Sequence, residues 1–322
     1  MAECGALDPF KCWTMPVADW MTSGLRWLVD NYRPFFQSIK APFDILLQWF
    51  GVGLNSIPPS ILIVLVALVA WQFGGRRLAS ALVASLVFLG IIGVWQEAMT
   101  TLSIVLTSLV VAIALGIPLG IWAARSEMAY SIMRPLLDGM QTIPAFVYLV
   151  PIVMLFGIGN VPGVIVTVIF AVAPLIRLTN LGIRQVPEDV VEAMRAFGAT
   201  ERQVLWKAQM PLALPTIMAG VNQTLMMSLS MVVIASMIAV SGLGQMVLRG
   251  IGRLDVGLAT VGGLGIVVLA IVLDRFTQAL SVQKRRPGEI WRQGPIGLIR
   301  SLAGNQSFRN MREVRVQKGG NK

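Results

Sequence analysis

The chain has 322 residues, 56% of them hydrophobic and 13% charged, with a net charge of +10 and a mean hydropathy of +0.74. A soluble domain carries about 25% charged residues, so the composition points to an integral membrane protein; the basic residues flank apolar runs without the interleaved aromatics that stack bases, which argues for lipid and topology rather than nucleic acid. Histidine is absent and cysteine occurs only at Cys4 and Cys12, which removes the commonest general base and any zinc site of the usual spacing.

Met1–Asp8 has no basic start leading into an apolar run, so no cleaved signal is expected. From Asp19 to Ile57, Trp20, Leu25, Trp27, Leu28, Phe35 and Phe36 alternate with Arg26, Asp30, Arg33 and Gln37 at roughly helical spacing. The segment is too polar to span. It reads as an amphipathic helix lying in the outer interface of the membrane, or packed on the rim of a bundle. Outside the cell Cys4 and Cys12 would meet an oxidising space and could pair.

A crossing takes about 20 mostly apolar residues for about 30 Å of hydrocarbon. Seven runs qualify: Pro58–Phe73, Leu78–Gln96, Met99–Ala124, Met140–Gly159, Val161–Asn180, Leu214–Ser241 and Val256–Leu280. The first is short, and Pro144 and Pro151 split the fourth. With the N-terminus outside, 20 of the Lys and Arg residues fall on the inner side and six on the outer, the orientation that the positive-inside rule favours. The tail from Lys284 to Lys322 is basic and poor in large apolar residues. It reads as a cytoplasmic tail near anionic lipid, or as a topology determinant with no further role.

Between the fifth and sixth runs lies a long inner loop, residues 183–215. Pro187 suits a first helical turn, and Glu188 and Asp189 complement the helix N-terminus. Gly198 suits a turn with positive φ, and Thr200 a cap on a second short helix. Val190, Val191, Met194 and Phe197 form an apolar face; Glu192, Arg195 and Arg202 form a polar one. Small residues at Ala193, Ala196 and Ala199 allow close approach of a partner. A surface hairpin without a partner is the plainer alternative.

This loop resembles the EAA loop of ABC importer permeases: Glu192-Ala193-Met194, then Gly198, then Pro211 at the family's distance, with Met194 and Ala208 as mild departures. The runs Arg134–Gly163 and Met218–Asp255 extend the likeness over about residues 50 to 280, most closely to the glycine betaine/L-proline permeases of osmoprotectant uptake systems. The resemblance implies an all-α integral membrane fold of about seven transmembrane helices, a type I (MetI-like) permease bundle with a cytoplasmic coupling helix. The expected division is an interfacial N-terminal segment, 1–57, a permease domain, 58–280, and a basic cytoplasmic tail, 281–322. It also implies residence in a bacterial inner membrane with the N-terminus periplasmic and the C-terminus cytoplasmic. Two copies would pair with two cytoplasmic ATPase subunits and one periplasmic glycine betaine-binding protein. Glu192, Ala193, Met194, Arg195, Gly198, Ala199 and Pro211 would couple to the ATPase.

No stretch matches the phosphate-cradling G-x-x-x-x-G-K-[ST] loop. The chain is therefore expected to hold no cofactor and no metal, with ATP and magnesium on the partner, and to be a transport subunit rather than an enzyme. Candidate path residues are Gln141, Thr142, Asn222, Gln223, Thr224, Ser228 and Ser230. Met226, Met227, Met231 and Met237 offer an adaptable apolar gate. For each of these, helix–helix packing is the alternative. The Ser241-Gly-Leu-Gly244 segment, with Arg249 and Arg253, is a candidate dock for the binding protein. Choline or carnitine is the competing cargo within the class. An autonomous osmotic channel or ion-coupled carrier is the competing class, and it is weakened by an odd number of runs and by the scarcity of carboxylates inside them.

Overall fold

In hydrocarbon every backbone amide must be satisfied within its own segment or a closed sheet, which drives a chain this apolar towards helices. The computed structural model describes residues 15–281, and these form helices and short connections with no strand. Cys4, Cys12 and the basic tail lie outside the described residues.

The amphipathic N-terminal segment is one helix, α1 (Val17–Ser56), with no buried residue. At Ile57 the chain bends by 105° into α2 (Pro59–Gly74). Pro58 cannot continue a helix hydrogen-bond ladder, and Pro59 is pre-set for the first turn of the next helix. Gly75, at φ +83, turns α2 back into α3 (Arg76–Ile91). Each of the two has 16 residues, about 24 Å of helix, which is less than the hydrocarbon thickness. Four helical runs are long and apolar enough to cross alone: α4 (Trp95–Arg125), α7 (Asn160–Arg184), the run Glu201–Ile238 that contains α10 (Met210–Ala235), and α12 (Val256–Ser281). The number is six if each bent pair counts as one span. The seven apolar runs of the sequence thus include a hairpin of two short helices.

The second bent pair is α5 (Glu127–Thr142) and the segment Ala145–Phe156, a 3₁₀ turn followed by α6 (Leu149–Phe156), again at 105°. Pro144 makes the break. Pro151, expected to split the same run, sits instead in the first turn of α6, where a missing N–H has no intrahelical partner to lose.

The bundle is organised on α7, which is buried along almost its whole length. Hydrocarbon gives apolar helices no solvent-driven reason to associate, so close approach over small residues has to supply the contact. Gly116 and Gly120, one turn apart on α4, lie against α7. A Cβ at Gly120 would fall 2.5 Å from Thr179 Cβ and 2.9 Å from the Ile176 carbonyl oxygen. On the other side, Gly182 of α7 faces Ala213 and Thr216, and Gly220 of α10 faces Leu175 and Leu178.

The end of α7 opposite the α7–α10 connection is tied to the corner after α10. The Gly159 N–H donates to the Ile238 carbonyl (2.9 Å), and the Ser241 N–H donates to Asn160 Oδ1 (2.8 Å). The Leu243 N–H, at the start of α11 (Leu243–Gly252), donates to Thr101 Oγ1 of α4 (2.9 Å).

Gly120→Ala forces α4 off α7 and is expected to destabilise the chain by about 1–3 kcal/mol, read as a lowered melting temperature in detergent. Gly90→Ala, where a Cβ meets nothing within 4 Å, leaves it unchanged or raised.

Candidate functional site

The connection between α7 and α10 is an ordered two-helix unit. Pro187 stands at the N-cap of α8 (Glu188–Ala196), with Glu188 and Asp189 in the first turn. The helix ends on Gly198 at φ +79. There the Ala199 N–H donates to the Met194 carbonyl (3.0 Å) and the Gly198 N–H to the Arg195 carbonyl (2.9 Å), the paired bonds of a Schellman cap. Nothing lies within 4 Å of where a Cβ on Gly198 would be, so the glycine is required by its backbone conformation and not by space.

Thr200 opens α9 (Glu201–Val204) with a capping box. Its N–H donates to Gln203 Oε1 (2.9 Å), and its Oγ1 accepts from the Gln203 N–H (3.4 Å). A guanidinium fork from Arg195 joins the two helices, Nε to Glu201 Oε1 at 2.9 Å and Nη2 to Glu201 Oε2 at 3.2 Å. That hydrogen bond, with the attraction of the charges, raises the Arg195 pKa and lowers that of Glu201. Residues Leu205–Gln209 form a π turn in which the Met210 N–H reaches back to the Leu205 carbonyl. The widened turn precedes Pro211, whose ring and missing N–H a regular α-helical ladder would not accommodate.

Val190, Val191 and Met194 are half-buried, while Glu192, Ala193, Arg195, Ala196 and Phe197 are exposed. Phe197 is 92% exposed. It was expected on the apolar face with Met194, but it stands out at the tip beside Gly198. An aromatic directly before a helix-ending glycine, with no hydrophobic residue placed to cover it, was the available sequence signal.

Arg184 roots this unit in the bundle, and sequence reasoning counted it only as a topological charge. Its Nε donates to Asn180 Oδ1 (2.8 Å), its Nη1 to Glu127 Oε1 (2.6 Å) and its Nη2 to the Ala123 carbonyl near the end of α4 (3.0 Å). Its guanidinium also lies 4.9 Å from the centre of the Tyr130 ring. Arg177 and Asp138 form a second ion pair between α7 and α5. A lone exposed pair contributes little, but Arg184 joins the ends of α4, α5 and α7 through four partners at once.

The structure separates the candidate path residues. Gln223, Met227 and Ser230 share one face of α10, with Gln223 and Ser230 exposed and Met227 half-buried. Asn222 faces α12: its Nδ2 donates to Asp274 Oδ1 (3.1 Å), and its Oδ1 accepts from Thr277 Oγ1 (2.6 Å). Met226 packs on the core. Thr224, Ser228 and Met231 are buried, and the Thr224 hydroxyl has no partner. Met237 is exposed near the far end of the run. Gln141 is half-buried and Thr142 exposed, at the end of α5. Arg249 and Arg253 are exposed on and just after α11, at the end of the bundle away from α8. Arg249 lines a 280 Å³ pocket with Glu97, Thr100, Ser241 and Gln245.

Residues 116–286 match the family of binding-protein-dependent transport system inner membrane components. The chain is 60% identical to the glycine betaine/proline betaine transport system permease protein ProW of Escherichia coli, over 91% of this chain and 83% of that protein. It is 44% identical to the glycine betaine/carnitine transport permease protein GbuB of Listeria monocytogenes, over 83% and 96% respectively. A solved structure of the MetNI methionine ABC transporter in inward-facing conformations superposes with a TM-score of 0.54 at 21% identity, covering 62% of this chain and 98% of that one. At that identity the likeness speaks for the fold alone.

The Arg195–Glu201 fork sets a pH dependence. Because folding lowers the Glu201 pKa, its contribution is complete above the ordinary glutamate range and is lost as pH falls through the lowered value. Glu201→Gln is expected to speed amide exchange across Met194–Gln203 at neutral pH, as measured by hydrogen–deuterium exchange. The difference from wild type closes only in acid, below the ordinary glutamate range.

Proposed function

The chain belongs to the family of binding-protein-dependent transport system inner membrane components, as a multi-pass permease of an ABC importer, and from that premise we propose a cargo, a topology and a coupling route. The cargo is glycine betaine, proline betaine and similar small zwitterions. The observation that carries this is 60% identity, over 91% of the chain, to a permease named for those solutes. Carnitine is the second reading, favoured by the 44% identical relative whose name includes it. Both solutes combine a quaternary ammonium with a carboxylate, and a separate periplasmic receptor selects between them.

The α8–α9 unit faces the cytoplasm, α11 faces the periplasm, and two copies of the chain assemble with two ATPase subunits. Support for this orientation comes from the basic residues that gather at the α8 end: Arg125, Arg134, Arg177, Arg184, Arg195, Arg202 and Lys207. ATP hydrolysis takes place on the partner. Phe197 and the exposed small residues beside it enter a groove of the ATPase, and Glu192 and Arg195 add charge-assisted hydrogen bonds at the rim.

Closure of the ATPases then moves α8. The Schellman cap and the Arg195–Glu201 fork keep α8 and α9 together, so the displacement reaches both α7 and α10. Arg184 and Arg177 pass it to α5, whose last turn carries Gln141 and Thr142, and the bend at Pro144 hands it on to α6. The exposed face of α10 with Gln223, Met227 and Ser230 lines the path. Binding-protein docking falls to Arg249 and Arg253. The chain's own chemistry is mechanical: its residues transmit displacement and exchange one helix surface for another.

The test is uptake of labelled glycine betaine into proteoliposomes holding the chain, its ATPase and its binding protein, with each omitted in turn. Uptake is expected only with all three and ATP on the ATPase side. Uptake by the chain alone contradicts the proposal. Phe197→Ala is expected to lower coupled uptake about tenfold with membrane insertion intact; Glu192→Lys and Gly198→Pro act in the same direction.

A further inference from the structure

Between the peripheral hairpin and the core helices lies a cavity of about 520 Å³, bounded by α1, α2 and α3 on one side and by α4, α10 and α12 on the others. Its lining is aliphatic and aromatic, represented by Leu62, Met99, Leu106, Ile117, Val221 and Phe276. Thr277 is the one polar residue in the wall, and its hydroxyl already donates to Asn222 Oδ1 at 2.6 Å. Water entering here would find no free partner, and cavities of this kind stay dry. A zwitterionic solute would lose its hydration without compensation. The occupant therefore has to be hydrocarbon, and the bilayer around the bundle supplies it.

We propose that the cavity holds one acyl chain of a membrane phospholipid. The size fits: a dry apolar cavity of about 150 Å³ accepts a six-carbon ring, so 520 Å³ corresponds to roughly 20 carbon atoms. The shape fits as well. Along α4 the wall runs from Met99 to Ile117, about 27 Å of helix, so a single extended chain that enters from one leaflet lies lengthwise in the cavity and passes the midplane of the hydrocarbon core. Leu214 and Leu280, both partly exposed at the end of the bundle nearest α8, mark where a chain enters from that leaflet. The acyl chain acts as a filler that lets the hairpin α2–α3 ride on the core without side chains long enough to close the gap.

The test uses the full-length chain, in complex with its ATPase, in nanodiscs made with a phospholipid that carries a photoactivatable diazirine midway along one acyl chain. Labelled peptides are mapped by mass spectrometry. The expected label falls on the cavity-lining residues of α4 and α10, around Leu106 and Val221. Leu106→Trp fills the space and lowers that label about tenfold, while label on the outward surface of α3 around Phe88 is unchanged. If the filled variant does not fold, the wild-type map still decides. Label confined to outward surfaces overturns the proposal. So does capture of Leu106→Cys, in a chain with Cys4→Ser and Cys12→Ser, by the same chain in a second copy through a short thiol crosslinker, which would seat a partner helix there instead of lipid.

Discussion

The close contact of α7 with α4 on one side and α10 on the other is the constraint on which the rest of the structure depends. It exists because Gly116 and Gly120 of α4, Gly182 of α7 and Gly220 of α10 remove side chains where the backbones meet. In lipid, apolar surface gains nothing by leaving hydrocarbon, so packing of this kind, with the polar ties at its two ends, holds the bundle together. At one end Arg184 gathers the ends of α4, α5 and α7. At the other, Asn160 and Thr101 accept the backbone N–H groups of Ser241 and Leu243. Helix α7 is thus a stiff bar fixed at both of its ends, with α8 hung from one of them.

That arrangement suits the permease subunit of an ABC importer. A partner that moves α8 finds little slack between the point of contact and the bar. The Gly198 cap, the Thr200 capping box and the Arg195–Glu201 fork each remove a local degree of freedom. The weak points lie elsewhere, at the two 105° bends. The break at Pro144 lies where α5, ion-paired to α7, turns into the segment Ala145–Phe156, and in the proposed coupling route it passes the displacement on to α6.

Much of the α8–α9 unit was legible in the sequence, because its determinants are local. A proline before two acids, a glycine needing positive φ and a threonine three residues before glutamine each specify a backbone geometry without help from the rest of the chain. The membrane helices were legible as apolar runs but not as faces. A helix that is apolar all round has no periodic signal, so Asn222, Gln223 and Thr224 could not be told apart until Asn222 was seen bonded to Asp274 and Thr277 and Thr224 was seen buried. The joint at Arg184 was hidden for a different reason. Glu127 and Ala123, which it binds, are 57 and 61 residues away, a separation that local pattern cannot bridge. The hairpin of two short helices was misjudged in length because Ile92–Val94, apolar but not helical, extended the apparent run.

The central claim, that the exposed tip of the α8–α9 unit is where the ATPase engages this chain, is tested most directly by replacing Phe197 with a photoreactive phenylalanine analogue in the assembled importer and identifying what it captures. The account predicts an adduct with the ATPase subunit and none with the binding protein. An adduct with the binding protein, or with lipid alone while the ATPase is bound, would contradict it.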